Sequence, residues 1–315
     1  MAICVGSRGQ GLNTTSAAAS VTVAAGIAIQ FAAGLNGSNV NDESALVTGS
    51  VQAPPNSAVT VNGQLAIVTA DGQFLANGVV LQPGANTLTA TLTTADGQSA
   101  SQSITLNRTT NGGLPSGGGT TGVDFRVSVS DTEGIVIAGQ STFTTTVLVE
   151  NVSGAAYGSI TLTCGAPAPA VPVPLGSVNC DYNQPGLYNI VATIKDGAGA
   201  AIYTKAIVVV VKSAAQHVAG VKAVFAELND RLKAGNKAAA LNLFFGHAKP
   251  LHDAIFTALG ANLATYAAQG GTLGATTATR DTAELTVIRT IGAEKRAFFI
   301  YLMRGEDGIW RFESM

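Results

Sequence analysis

Apolar and polar positions alternate with a period of two, without a single charge, from Ala17 to Leu35 (AAASVTVAAGIAIQFAAGL). The odd positions, which include Val21, Val23, Ala25, Ile27, Ile29 and Phe31, are all apolar, while the even ones are Ala, Ser, Thr, Gly or Gln. This pattern predicts a β-strand with one apolar face. At about 3.3 Å per residue it reaches roughly 60 Å, against about 20 Å for the strands of a compact sandwich. A strand that outruns its own sheet must bury its face in another, and a second copy of the chain is the nearest supplier, by strand addition. The expected assembly strand carries Val21, Val23, Ala25, Ile27, Ile29 and Phe31. Two other readings stand beside it. The stretch can be the first strand of the first domain, broken at Gly26. It can also be a signal or membrane segment, which its Ala, Ser and Thr content, Gln30 and the lack of a basic flank beyond Arg8 disfavour.

Short alternating segments follow at 45–52, 58–63, 65–72, 79–82, 86–94 and 99–106, with Asn-Gly, Asp-Gly and Pro-Gly turns between them. They predict an antiparallel sandwich of immunoglobulin type without the buried cysteine pair. The ordered motifs GSVQAPP (49–55), VTVNG (59–63), DGQF (71–74) and VLQPGANTLTA (80–90) resemble the Ig-like domain B of bacterial glucodextranases and of related secreted multidomain proteins. The resemblance covers about a quarter of the chain and implies a scaffold or spacer with no chemistry to carry over. It also implies a first strand ahead of Gly49, where Val21 to Phe31 falls.

Thr109 to Gly122 (TTNGGLPSGGGTTG) has the composition of a flexible linker. A second set of strands is expected at 123–130, 143–151, 159–164, 186–196 and 203–211, around a Pro-rich stretch at 166–174. Pro185 to Asp196 (PGLYNIVATIKD) resembles polycystic-kidney-disease-type and related Ig-like modules. Beyond Lys212 the period changes to about 3.6: Val218, Val221, Val224, Phe225, Leu228 and Leu232 share one face of a helix expected from Ser213 to Ala234. Helices are expected at 237–246 and 252–269, separated by Pro250, and strands at 274–280, 283–291, 295–304 and 309–315. Helices followed by a curved antiparallel sheet ending in Phe298 to Met303, Glu306-Asp-Gly308 and Ile309-Trp-Arg-Phe312 resemble nuclear transport factor two-like, or SnoaL-like, domains. That resemblance implies a cone with Trp310 as its plug. The expected architecture is thus mainly β and multi-domain: an N-terminal extension (1–35), an Ig-like sandwich (36–108), a linker (109–122), a second sandwich (123–212) and an α+β cone (213–315).

Composition narrows the function. Only 11% of the 315 residues are charged, and the formal net charge is −2, so nucleic acid has no basic face to bind. Eleven of the seventeen Lys and Arg and all three His follow Ser213. The low charge and high Gly content match an extracellular or surface protein of a bacterium, although no cleavable signal is recognisable at Met1. Cys164 and Cys180 flank the Pro-rich stretch and can form a disulfide in an oxidising compartment, leaving Cys4 as a free or intermolecular thiol.

The cone fold hosts dehydratases and isomerases, for which His247, His252, Asp253, Tyr266, Arg280 and Tyr301 are the available acid–base groups. No dyad can be placed among them by motif, so no catalytic residue is assigned and no enzyme is expected. A cavity filled by Trp310, Phe298 and Phe299 would count against catalysis. No cofactor or metal is expected, because the Asp-Gly pairs are hairpin turns and the His spacing matches no ligand set. Carbohydrate binding would need exposed aromatics, and Tyr157, Tyr182, Tyr188 and Tyr203 are the few available. The expected role is a non-catalytic filament subunit whose partners are copies of itself, with a glycan- or surface-binding adhesin as the alternative and a small-molecule lyase or isomerase as the next.

Overall fold

The computed structural model describes residues 26–109 and 125–314. Most of the expected linker, Cys4, Val21, Val23 and Ala25 lie outside these residues.

The first unit contains β1 (Ala28–Phe31), β2 (Asn39–Val40), β3 (Ser44–Gln52), β4 (Ser57–Val61), β5 (Gln64–Val68), β6 (Gln73–Val80), β7 (Gly84–Thr94) and β8 (Ser99–Arg108). They hydrogen-bond in the order β1-β3-β6-β5-β4-β7-β8-β2. The sheet folds over itself, so that β1 and β8, far apart in that order, approach each other. Val47, Val59, Val61, Phe74, Leu88 and Leu92 fill the space between the halves. Expected and observed strands agree at 45–52, 58–63, 86–94 and 99–106. β6 is the exception, because it begins at Gln73 where only 79–82 is expected.

The second unit contains β9 (Phe125–Val129), β10 (Glu133–Val136), β11 (Phe143–Asn151), β12 (Ser159–Thr163), β13 (Val171–Pro172), β14 (Gly176–Tyr182), β15 (Gly186–Lys195) and β16 (Ala201–Ser213). A five-stranded sheet, β10-β16-β15-β12-β13, packs on a three-stranded one, β14-β11-β9. Phe125, Val147, Leu162, Ile190 and Ile194 lie in the core between them. Cys164 and Cys180 form a disulfide that ties the end of β12 to β14, one strand from each sheet.

β16 passes directly into α1 (Ala214–Lys233), which buries Val221, Val224, Phe225, Leu228 and Leu232 at helical spacing. Arg231 and Lys233 stand in its last turn, where the helix dipole favours cations. α2 (Lys237–Leu241) starts at Asn236, whose side chain accepts from the Ala239 N–H. It ends earlier than expected because Leu243 to Phe245 leave the helix to hydrogen-bond with Phe312 in the last strand. Pro250 is not the helix break expected of it. It occupies the first turn of α3 (Lys249–Leu259), where a missing N–H costs nothing. Gly260, at φ 47°, breaks the expected third helix into α3 and α4 (Leu263–Ala268). Strands β17 (Thr272–Ala278), β18 (Thr282–Ile291), β19 (Glu294–Arg304) and β20 (Trp310–Ser314) form an antiparallel meander. One face of it packs against the helices through Leu285, Val287, Ile300, Leu302 and Phe312.

Candidate functional site

Two places in the molecule could carry function: the edge where β1 lies and the joint where the three units meet. β1 pairs antiparallel with β3, Phe31 opposite Gly49, and stands at the edge of its sheet. Phe31 is buried and packs edge-to-face on Phe74 at 6.0 Å, and Ile27 and Ile29 lie against the same core. The expectation that Ile27, Ile29 and Phe31 serve a neighbouring copy is therefore corrected. Gly49 leaves room under β1, and the sandwich's own core is the nearest apolar surface. The first unit accordingly includes Ile27, Ile29 and Leu35, ahead of the expected start at Asn36.

The units meet through a small set of polar groups. The amide of Asn77 donates to the Val208 carbonyl (2.8 Å) and accepts from its N–H (3.0 Å), so the first unit hydrogen-bonds to β16 as a strand would. Asn56 does the same to Trp310, at 2.9 and 2.8 Å. Asp42 pairs with Lys205 (2.9 Å) and accepts from Tyr203 (3.0 Å), and Glu43 pairs with Arg126 (2.6 Å). Burial, and after it the Asp42 charge, drives the Tyr203 phenol far above its ordinary range. Asp96 holds Arg231 of α1 at 2.6 Å. Glu133 of β10 is buried between Lys212 (2.5 Å) and Arg304 of β19 (3.3 Å). Burial raises its pKa, but the two cations outweigh burial and hold it below the usual carboxylate range. Apolar contacts accompany these bonds: Ile67 and Leu75 of the first unit meet Val210.

A cleft of about 630 Å³ opens at this joint, with Pro54, Leu187, His217, Arg304 and Trp310 among its walls. His217 touches the Trp310 ring edge-on at 5.7 Å and bonds through Nε2 to the Thr279 carbonyl at 2.6 Å. Burial pushes its pKa down. Polar groups around the cleft are already committed: Arg304 to Glu133 and Asn56 to Trp310 across units, and His217 to Thr279 within the third unit.

The six groups weighed for acid–base chemistry each have a different partner. His252 is buried, bonds to the Ala248 carbonyl and stacks on Phe244 at 4.2 Å. His247 is exposed and meets Glu313 at 3.0 Å. Asp253 pairs with Lys237, and Arg280 with Asp131 and Asp281. Tyr266 lies under the Arg289 guanidinium at 4.4 Å. Tyr301 is exposed, and its phenol is pushed up by the Glu284 carboxylate that accepts its hydrogen bond. The space between helices and sheet is filled by Phe244, Phe256 and Phe312. Of the expected plug, Trp310 packs partly buried against the core between helices and sheet, its ring on His217 of α1, whereas both phenylalanines are exposed, because β19 turns Phe299 away from the helices and Phe298 runs past them.

Of the tyrosines available for stacking on sugars, Tyr182 is buried, bonds to the Cys164 carbonyl and has its phenol pushed up to about 12, chiefly by burial. Tyr188 packs on Tyr182, and Tyr203 is taken by Asp42. Tyr157 alone of the four is exposed. Groups of His, Cys, Asp and Glu able to hold a metal are absent among the described residues. No helix among those residues is long and apolar enough to cross a membrane.

Alternation does not reveal the joint. The readable signal is an interruption of it: Phe74-Leu75-Ala76 and Val209-Val210-Val211 are each buried at three successive positions, which a strand shows when both of its faces are covered.

Folded-over sheets with filled cores define, for the described residues, a multi-unit, mainly β protein built on Ig-like sandwiches. Residues 28–109 match the family model described as glucodextranase, domain B. The match covers the first unit, about a quarter of the chain. A search of curated proteins finds no match. Among solved structures the chain is similar to fibronectin(III)-like modules of Clostridium thermocellum CbhA, at 14% identity over 60% of this chain and 96% of that one, TM-score 0.21. It is also similar to the D00-D0 domain of intimin, at 12% identity over 58% of this chain and all of that one, TM-score 0.20. Bacteroides ovatus SGBP-B, solved with a mixed-linkage heptasaccharide, matches at 14% identity over 56% of this chain and 43% of that one, TM-score 0.16.

Proposed function

We propose that the chain is a non-catalytic, extracellular structural subunit of a bacterial surface that joins to copies of itself through the residues ahead of β1. One observation carries the reading. The alternation that begins at Ala17 runs in phase into β1, yet β1 uses only Ile29 and Phe31 of it, and β1 sits at a sheet edge. In the sequence, Val21, Val23 and Ala25 keep the apolar phase of Ile29 and Phe31, whose own sandwich is already filled. Burying the two valines on a neighbour contributes about 1.5 to 3 kcal/mol each before ordering costs. A contact of this head-to-tail kind propagates unless its rotation closes a ring. The Cys164–Cys180 disulfide fits an oxidising compartment. The helix-and-sheet unit, read from its sequence resemblance as a nuclear transport factor two-like cone, has the space between helices and sheet filled by Phe244, Phe256 and Phe312, which supports a scaffold over a lyase or isomerase.

The test is electron microscopy of the chain beside a version lacking residues 1–25, which spares β1. Filaments from the first and folded single particles from the second are expected. Single particles from both, or filaments from both, would overturn strand donation.

A further inference from the structure

The C-terminal sheet ends on one side in a strand that nothing continues among the described residues. β17 pairs with β18 alone, and from Thr272 to Ala278 it carries neither charge nor proline. No hydrogen bond from outside the sheet reaches its backbone among those residues, although the flanking carbonyls of Gly270 and Thr279 are held by Arg289 and His217. Sheet edges are ordinarily blunted by charge, proline, shortness or a covering segment. The other edges follow that rule: β2 and β13 have two residues, β1 and β10 four, β9 carries Arg126 and β14 Asp181, and the outer side of β20 bonds to Leu243 and Phe245. The guard on β17 is a bulge between Leu273 and Thr276. Its inner face is also unfinished. Leu273, Thr276 and Ala278 stand opposite Val287, Leu285 and Ala283, and the β18 members of this row are buried whereas those of β17 are half-buried. Thr276 keeps a buried hydroxyl without a hydrogen-bond partner.

We propose that β17 is the edge on which a neighbouring copy lays the residues ahead of its β1. This rests on the reading that those residues join copies, and it names their acceptor. The match is one of length, chemistry and position. Residues 17–25 are nine, uncharged, and end where β1 enters its own sandwich, so they are free to reach outward. Extended, they span about 30 Å, which covers the roughly 23 Å of the seven residues of β17. Their main chain pairs with the outward N–H and C=O groups of β17, as in β-augmentation generally. Val21, Val23 and Ala25 bring three inward side chains to extend the row of three on β17. The floor under that row is α1, which follows β17 from Asn229 beside Gly270 to His217 at Thr279. No ionised group lies on either strand, so the pairing strips water from no charge. Donor and acceptor belong to different units of the chain, and every copy offers both. The contact is therefore heterologous and repeats along a fibre, in keeping with the filament expected of the full chain.

Cysteine cross-linking of the full chain tests this, in a Cys4→Ser background that leaves the Cys164–Cys180 disulfide in place. Thr22→Cys, at a polar position between the two valines, is combined in turn with Thr272→Cys and Thr277→Cys at the exposed ends of β17, and with Asn179→Cys on β14 as a control. On oxidation, a β17 pairing should give a ladder of covalent multimers on a non-reducing gel, and the β14 pairing should give none. Amide exchange of the wild-type chain across Thr272–Ala278 should slow at least about tenfold from the dilute to the assembled sample, with Gly176–Tyr182 unchanged. A ladder from the Asn179 pairing, or a cross-link confined to single chains, overturns the proposal. Filaments with no ladder from either β17 pairing, or with β17 amides exchanging as in the dilute chain, overturn this acceptor and leave strand donation standing. Absence of filaments in the wild type removes strand donation, and the acceptor with it.

Discussion

Gly49 decides where β1 can lie. A Cβ at this position would stand 2.2 Å from the Gln30 carbonyl oxygen and 2.4 Å from the ring of Phe74. One obstacle is the backbone of β1 itself and the other is a fully buried ring, so neither yields without moving a strand. Gly49→Ala should cost about 1 to 3 kcal/mol, the usual penalty of overpacking, and should loosen β1 before the rest of the unit. Thermal melting gives the first quantity. Amide exchange at Gln30, which faces Ser50 at a hydrogen-bonded position of the β1–β3 pair, gives the second, and protection there equal to wild type would show that Phe74 moves instead. Gly308 has a comparable place at the joint: at φ 81°, its Cβ would meet Leu65 at 2.6 Å and Ala58 at 2.9 Å. Both glycines mark surfaces that close on each other, one within a unit and one between units.

At the scale of elements, the disulfide secures the region of the second unit with the least regular backbone. It closes a separation of 16 residues and bridges the two sheets, while Tyr182 adds a hydrogen bond from β14 to the Cys164 carbonyl. Loop-closure arguments assign such a bridge about 3 kcal/mol. Replacing both cysteines by serine should lower unfolding stability by about that amount, measured in denaturant, and a loss under about 1 kcal/mol would show that the Pro-rich stretch is held by its packing alone. The same region shows what is legible in the sequence. β11 and β15 alternate cleanly, one face in the core and one outward, and the expected and observed ranges nearly coincide. β14 escapes such a reading because Asn179 and Asp181 on its outer face and the prolines before it resemble a loop. β10 escapes it because four residues, Glu133 to Val136, are too few to show a period. β6 escapes it for a different reason, since Leu75 faces β16 instead of solvent and fills the polar half of the alternation. Local patterning thus reveals elements with one wet face. It fails where a third element covers that face, which is why the joint, with Asn56, Asn77 and Glu133, is silent in the sequence.

For the whole molecule, scarce charge is concentrated at the joint. Residues 1–108 contain four acidic side chains, Asp42, Glu43, Asp71 and Asp96, and three of them pair with cations of the other two units. Contacts run from the first unit to the second, from the second to the third and from the third back to the first, so the described residues form a closed triangle instead of beads on a string. The closure should also be sensitive to acid. His217 is held below its ordinary pKa, chiefly by burial, so the unfolded chain takes up a proton before the folded one does. Stability falls as pH drops below about 6.5. Glu133 is likewise depressed, with Lys212 and Arg304 outweighing its burial, and its contribution is present above about pH 4.3 and lost as pH falls through its lowered value. Both act in the same direction, and both lie where the second and third units meet. Melting temperature should therefore decline between about pH 7.5 and 3.5, and small-angle scattering should show an expanded particle at the acid end. Glu133→Gln leaves two partly buried cations without their carboxylate, at a cost of about 3 kcal/mol at neutral pH, and should flatten the decline below about pH 4.5. An acid response as steep in that variant as in the wild type would move the sensitive contact to the Asp42, Glu43 and Asp96 pairs of the first unit.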